Sequence, residues 1–255
     1  MAKRKRNARK VKPRKRKPRF LIFIFIFALI IIGGVYIASL PIWQIEEIVV
    51  NGAKMLSPDE VRTLAGIPLS ENLFFTSFSR AKANLGKITA IEKFGFYRIP
   101  PATVLISITE REPVAAIVFP EKSIIIDKEG YIINRNPNIS LNIPDQAELP
   151  VISGINEKRI LQADRIDAMV SQIVTGIIFK LSPYLESGRM QLELGGLENV
   201  SFLLDDLLRV KVGDAEEIKR KMEVFEALMP VIAGKWSKVE YVDVRFPDNP
   251  VIKYK

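Results

Sequence analysis

The sequence contains no cysteine and no histidine in 255 residues. Without cysteine there is no disulfide, thiolate nucleophile or thiolate metal ligand. Without histidine, the usual general acid–base group and the commonest metal ligand are missing. Only carboxylates, lysine, tyrosine and serine remain as possible catalysts, and no motif arranges them into a nucleophile, a base and an orienting group. The expectation is therefore no enzyme, no cofactor and no metal. Two absences are local. Residues 1–19 contain no acidic residue, and residues 20–40 contain no charge, no asparagine and no glutamine. Beyond the basic tail there is no low-complexity segment and no long-period repeat.

What is present in those two stretches is equally one-sided. The first 19 residues hold twelve lysines and arginines, ending in Arg14, Lys15, Arg16, Lys17 and Arg19. Residues 20–40 follow as an apolar run with no polar face, so a helix here must be buried all round. Twenty-one residues at ~1.5 Å each reach across a hydrocarbon core of ~30 Å. Basic residues stay on the cytoplasmic side, so the five named residues are the expected orienting charges, with the N-terminus inside and residues 41–255 outside the inner membrane. A cleaved signal peptide has a shorter apolar core, ~7–15 residues, and Ala38-Ser39-Leu40 is a poor cleavage site. A retained anchor that meets lipid through residues 20–40 is the expectation. The tail could instead bind nucleic acid, but no aromatic side chain interleaves its charges as a stacking platform. Orientation and attraction to anionic headgroups account for it, and nucleic acid is not an expected partner. Of the 38 basic residues, 26 lie beyond the tail, against 29 acidic ones, so the exported part carries −3.

After the apolar run the pattern reads β-α-α-β-β. Residues 43–50 are rich in β-branched side chains and end at the Asn51-Gly52 turn signal. Ser57, Pro58 and Glu60 open a helix as N-cap, first helical residue and capping-box partner. Gly66 and Pro68 stop it. A second helix is expected over 76–85, with Phe78, Ala81 and Leu85 on one face and Gly86 at its end. A strand over 88–98 carries Gly95 as a candidate bulge. Pro100-Pro101 breaks the chain, and 103–110 alternates cleanly, with Val104, Ile106 and Ile108 on one face.

The composition shifts after Glu110-Arg111-Glu112-Pro113. Short apolar runs at 114–119, 123–127 and 131–133 precede a loop rich in asparagine and proline over 134–148. An amphipathic helix over 164–181 carries Ile166, Met169, Val170, Ile173, Ile177 and Leu181. Strands are expected at 190–194, 200–204 and 208–212. A second amphipathic helix covers 214–232, with Ile218, Met222, Phe225 and Met229 in one stripe. A strand over 239–246, a turn at Pro247-Asp-Asn-Pro250 and a last strand from Val251 complete the pattern.

These residues together resemble the bacterial cell-division family FtsQ/DivIB. The first unit resembles a POTRA domain through Ile48-Val-Val-Asn-Gly52, Ser57-Pro-Asp-Glu60, Glu71-Asn72-Leu73-Phe74, and the string from Arg98 to Glu110-Arg111-Glu112-Pro113-Val-Ala115. The second adds Ile126-Asp127, Gly130-Tyr131, Leu149-Pro150, Gly154 and Val242-Asp243-Val244-Arg245-Phe246. The family's frequent Pro-Trp dipeptide before the second POTRA strand is replaced by Ile88-Thr89-Ala90-Ile91. The resemblance implies an α+β protein in four parts. These are a basic cytoplasmic tail (1–19), a transmembrane helix (20–40), a POTRA domain (41–112), and a second α/β domain (113–255) with a mainly antiparallel sheet and two amphipathic helices. It implies a non-enzymatic division scaffold at the septum. The implied partners are small single-span coiled-coil proteins of the FtsB and FtsL type and, through them, the septal peptidoglycan synthase complex. A membrane-anchored POTRA protein for export or outer-membrane assembly is the alternative; that class usually shows tandem POTRA units or a barrel sequence.

The last two strands are the expected partner site. Tyr241, Asp243, Arg245 and Phe246 on one, and Val251, Ile252, Lys253 and Tyr254 on the other, form an expected hairpin whose outer edge can add a partner strand. Asp243 and Arg245, two apart on a strand, point to one face and either orient a partner or form an ordinary surface pair. Pro250, Lys253 and Lys255 can equally be read as guards that blunt an edge. Glu110 and Arg111 are expected to set the angle between the two domains. The acidic pairs Asp205-Asp206 and Glu216-Glu217 are read as solvated turn and helix-start residues rather than catalytic ones.

Overall fold

A computed structural model describes residues 19–143, 148–157, 164–185 and 189–255. Helix α1 spans Arg19–Ala38. No residue of its apolar stretch, Phe20–Ala38, is buried inside the protein, as a membrane-spanning segment requires. Arg14, Lys15, Arg16 and Lys17 lie outside the described residues, and Arg19 is the first residue of α1.

The first unit contains β1 (Glu47–Asn51), α2 (Pro58–Ala65), α3 (Ser79–Leu85), β2 (Ile91–Ile99) and β3 (Thr103–Glu110). Its three strands lie in the order β1-β3-β2, with β1 parallel and β2 antiparallel to β3. β3 is the central strand, and its alternation is realised: Val104, Ile106 and Ile108 are buried beneath the two helices. Ser57 caps α2, its hydroxyl accepting from the Glu60 N–H at 3.1 Å, and Gly66 ends the helix in the left-handed region. The other half of the capping box is not made. Glu60 turns its carboxylate to the Ser140 N–H at 3.1 Å instead, which ties the helix to the later loop.

Four expectations need correction in this unit; one is that the strand expected from residue 88 starts at Ile91, whose N–H closes a turn on the Ile88 carbonyl at 3.0 Å. The first strand starts at Glu47, because Pro41–Trp43 forms a short 3-10 turn. The second helix starts at Ser79, because Asn72 to Thr76 is held in a side-chain-bonded turn of its own. Gly95 is no bulge: it pairs regularly with Ser107, and the register shift lies between Ile91 and Lys93. At Gly95 a Cβ would meet the Tyr97 ring at 3.2 Å, so the glycine makes room for that ring over the strand.

The second unit is built on a sheet of eight strands: β4 (Ala115–Val118), β5 (Ser123–Ile126), β6 (Val151–Ser153), β7 (Met190–Glu193), β8 (Val200–Leu204), β9 (Leu208–Gly213), β10 (Val239–Asp243) and β11 (Val251–Tyr254). The order is β11-β10-β9-β8-β7-β6-β4-β5. Four of the seven pairings are antiparallel; β4–β6, β6–β7 and β9–β10 are parallel. Helices α4 (Ala168–Leu181) and α5 (Ile218–Ile232) cover one face. Phe202 on β8 meets Phe225 on α5 edge-on at 5.4 Å, a geometry that contributes about 0.5–1.5 kcal/mol beyond area burial.

Both helices begin later than the periodicity suggests. α4 starts at Ala168, where the Asp167 carboxylate caps the N–H groups of Met169 and Val170. Ile166 is buried ahead of it, while Met169 is exposed. α5 starts at Ile218 because Asp214 to Glu217 turns the chain out of β9. The short strand β6 adds to the expected pattern, and residues 131–133 make isolated bridge contacts rather than a strand.

The two units share a boundary that is packed. Ala115, Ile117, Ile124 and Ile126 join the core of the second unit, whereas Ala116 and Ile125 point the other way, into the core of the first unit. Strands covered on both faces read as continuous apolar runs rather than alternating ones, which is the pattern of Ile124-Ile125-Ile126. Arg111 crosses the same boundary. Its guanidinium meets Asp127 at 2.6 Å, donates to the Thr89 carbonyl at 3.0 Å and stacks over the Tyr131 ring at 3.7 Å. Glu110 works within the first unit, where its carboxylate accepts from the N–H groups of Lys54, Met55 and Leu56 at 2.7–3.0 Å.

Candidate functional site

β10 leaves α5 through a 3-10 turn at Trp236–Lys238 and runs parallel to β9. After Asp243 the chain turns through Phe246 to Asn249, closed by the Asn249 N–H to the Phe246 carbonyl at 3.0 Å and pinned to α5 by the Arg220–Asp248 ion pair. It returns as β11. The register sets Tyr241 opposite Lys253, Val242 opposite Ile252 and Asp243 opposite Val251, with an irregularity between Val239 and Tyr241. The expected hairpin is present but shorter: Arg245 and Phe246 lie in the turn, not on the strand.

β11 ends the sheet, and among the described residues no strand pairs with its outer side. The backbone direction follows from one bond. The Lys255 N–H donates inward to the Lys238 carbonyl at 3.0 Å. Alternation then points Val251 and Lys253 inward to β10, and turns the N–H and C=O groups of Ile252 and Tyr254 outward. Side chains alternate across the sheet instead. Ile252 packs partly onto the core under the sheet, while Val251 and Lys253 stand on the open face. Tyr254 and Phe246 are exposed.

The open face beside this edge is basic and aromatic. Lys211 on β9 lies over the Tyr241 ring at 3.9 Å, and Lys253 approaches the same ring at 5.5 Å while pairing with Glu240 at 2.9 Å. The Glu240 hydrogen bond and charge raise the Lys253 ammonium above its ordinary pKa. Asp243 and Arg245 meet each other, Nη2 to Oδ2 at 2.7 Å and Nε at 3.0 Å. Partial burial pushes the Asp243 carboxyl up; hydrogen bonds from the Arg245 side chain and backbone, with the charges of Arg245 and Lys211, outweigh it and hold the carboxyl below its ordinary value. Gly213, in the left-handed region at φ +75°, admits this arrangement: a Cβ there would stand 3.0 Å from the Arg245 side chain. The pair closes the turn after β10 instead of sharing a strand face as expected.

Sequence reading named the residues of the two strands and missed their neighbours on the open face, Lys211 and Glu240. The alternation of Arg209-Val-Lys211-Val sets Lys211, half-buried, on the face away from the core, but only the pairing of β9 with β10 brings it to Tyr241. The acidic pairs have structural roles. Asp205 and Asp206 occupy the two left-handed central positions of the turn that the Leu207 N–H closes on the Leu204 carbonyl at 2.9 Å, φ 49° and 58°, within the three-residue connection from β8 to β9. Asp205 is buried rather than solvated as expected, at 8% exposure. Glu217 precedes α5, and the Glu216 N–H bonds to Asp214.

Two family profiles match. Residues 43–111 match the POTRA domain, FtsQ-type, and residues 116–245 match the Cell division protein FtsQ/DivIB, C-terminal domain. The chain belongs to the FtsQ/DivIB family of cell-division proteins. Among similar proteins, FtsQ of Geotalea daltonii is 25% identical over 235 residues, covering 86% of this chain and 80% of that protein. DivIB of Clostridium botulinum is 20% identical over 251 residues, covering 95% and 93%. FtsQ of Corynebacterium glutamicum is 32% identical over 105 residues, 41% of this chain and 47% of that protein. The FtsQ/DivIB C-terminal match ends at Arg245, so β11 lies beyond it, and the apolar helix ahead of the POTRA match fits a single-pass membrane anchor.

Proposed function

We propose that this chain is a non-enzymatic scaffold of the division machinery, anchored by α1 with its N-terminus in the cytoplasm and both folded units, 41–112 and 113–255, outside the inner membrane. It collects at the septum and binds small single-span coiled-coil proteins of the FtsB and FtsL type, and through them influences the septal peptidoglycan synthase complex. The observation that carries this reading is the unpaired outer side of β11 at the end of an eight-stranded sheet in an FtsQ/DivIB-family chain. Outward N–H and C=O groups of Ile252 and Tyr254 would extend the sheet into the partner. Tyr241, Lys253, Val251, Asp243, Arg245 and Phe246 would then select among strands.

Two experiments test it. A fluorescent fusion should form a midcell band; a uniform rim would favour the export or assembly alternative. Alanine at Asp206, Glu216 and Glu217 together should leave division intact, since these groups serve turns and helix starts. A normally folded variant that fails to divide would reopen an enzymatic reading.

A further inference from the structure

The end of α1 is bonded into the POTRA unit. The last four carbonyls of a helix lack intrahelical partners, and here protein groups take all of them. The Ser39 N–H reaches the Val35 and Tyr36 carbonyls, and the Leu40 N–H reaches that of Ile37 at 3.3 Å. The Trp43 indole donates to the Ile37 carbonyl at 2.7 Å, and the Asn72 amide to the Ala38 carbonyl at 2.7 Å. The Asn72 Oδ1 also accepts from the Phe74 N–H at 2.9 Å, and Arg98 braces the turn at the Leu73 and Thr76 carbonyls.

That turn buries one side chain and displays two. Leu73 is fully buried in the POTRA core, while Phe74 and Phe75 are 42% and 62% exposed. The Phe74 ring meets the Trp43 ring edge-on at 5.2 Å. The other exposed large apolar residues of the unit gather at the same end. Ile42 is 61% exposed in the connection from α1. Leu69 precedes Ser70, whose N–H donates to the Ile45 carbonyl, and Tyr97 and Ile99 flank Arg98. Among the described residues, the opposite end of the unit, at Gly52 and Glu110, exposes none.

Depth follows from the bonds. The stretch Phe20–Ala38 is about 28 Å long at ~1.5 Å per residue, against a hydrocarbon core of ~30 Å. A turn hydrogen-bonded to Ala38 therefore lies in the interfacial layer, where aromatic rings settle. We propose that Phe74 and Phe75, with Ile42, insert into the interface of the outer face of the membrane that α1 crosses, so that the POTRA unit rests on the bilayer. The proposal depends on α1 spanning the membrane. Near the same end the exposed Glu46, Glu47 and Glu71 outnumber Arg98, which disfavours anionic headgroups, so the contact is with the apolar interface of neutral lipid.

The absence of native cysteine makes single-site labelling clean. Full-length F75C, F25C and K93C variants, each spin-labelled and reconstituted in phosphatidylcholine nanodiscs, would be compared for access to oxygen and to a water-soluble nickel chelate. Lys93 lies at the far end of β2, paired with Thr109. The expected result is an oxygen-to-nickel ratio at F75C several-fold above that at K93C and below that at F25C. A water-like ratio at F75C with a lipid-like one at F25C overturns the proposal alone. Water-like ratios at both overturn the anchor and the proposal together. Shielding of F75C from both reagents would place a protein, not lipid, on the turn, and overturns it also.

Discussion

The eight-stranded sheet has two ends, and they are treated differently. At the β5 end the chain folds back and covers the edge. The Ile133 N–H donates to the Ile125 carbonyl at 2.7 Å, and the Asn134 side chain copies a strand, its Oδ1 accepting from the Ile125 N–H at 2.8 Å and its amide donating to the Ser123 carbonyl at 3.0 Å. At the β11 end nothing equivalent occurs among the described residues. The Ile252 and Tyr254 backbone groups face outward without a neighbouring strand. A bare edge is a hazard for mispairing, so a protein that closes one end with a side-chain mimic and leaves the other bare has a use for the second. Lys253 and Lys255 do not blunt it fully: one pairs with Glu240, and the other donates to the Ser237 carbonyl.

The largest expected effect comes from blocking the open end. Deleting Val251 to Lys255 should abolish capture of FtsB- and FtsL-type partners by the full-length protein in detergent. Ile252→Pro removes an outward N–H and should weaken capture at least ~10-fold, on the order of 1.4 kcal/mol. Ile252→Ala loses the same packing but keeps the N–H, and should capture much more strongly. Equal losses in the proline and alanine variants would assign the effect to packing and close the strand-addition reading.

Next comes opening the closed end. Asn134→Ala leaves the Ile125 N–H and the Ser123 carbonyl without their partner and should cost about 1–3 kcal/mol, read as a lower Tm. Asn134→Asp keeps the acceptor and loses the donor, so it should fall between. The exposed β5 edge should also make the alanine variant self-associate at high concentration in sedimentation velocity. An alanine variant as stable and monomeric as wild type would show that the two ends do not differ in kind.

How much of this was legible in sequence depends on how local each signal is. The cap at Ser57, the alternation of Val104, Ile106 and Ile108, and the stripe of Met222, Phe225 and Met229 are written within a few residues, and they hold. The cover on β5 was not legible, because Asn134 in an asparagine-rich stretch gives no hint that its amide stands in for a peptide group. Nor was β6: three residues between Pro150 and Gly154 are too few for a period. Glu60 was misassigned for the same reason, since its partner Ser140 lies 80 positions away. At the open end the strands were readable, but the last three positions of the first strand were not. Arg245 leaves the ladder to pair with Asp243.

The smallest effect concerns that pair, which closes the turn feeding β11. The Asp243 carboxyl is held below its ordinary value in the fold, so the folded state favours its ionised form. The sign follows from linkage. Stability from the pair is fully present above the unfolded aspartate value of ~3.9 and is lost as pH falls through the lower folded value. No change is expected between pH 7 and 5. Below about pH 4 the free energy of unfolding should decline more steeply in wild type than in Asp243→Asn, by less than about 1 kcal/mol, because Arg245 is half-exposed and screened by solvent. Urea titrations at pH 5, 4 and 3 would read the difference. Parallel curves for the two proteins would mean that the ion pair adds nothing to the hairpin, and that β10 with its β9 neighbour holds β11 in place unaided.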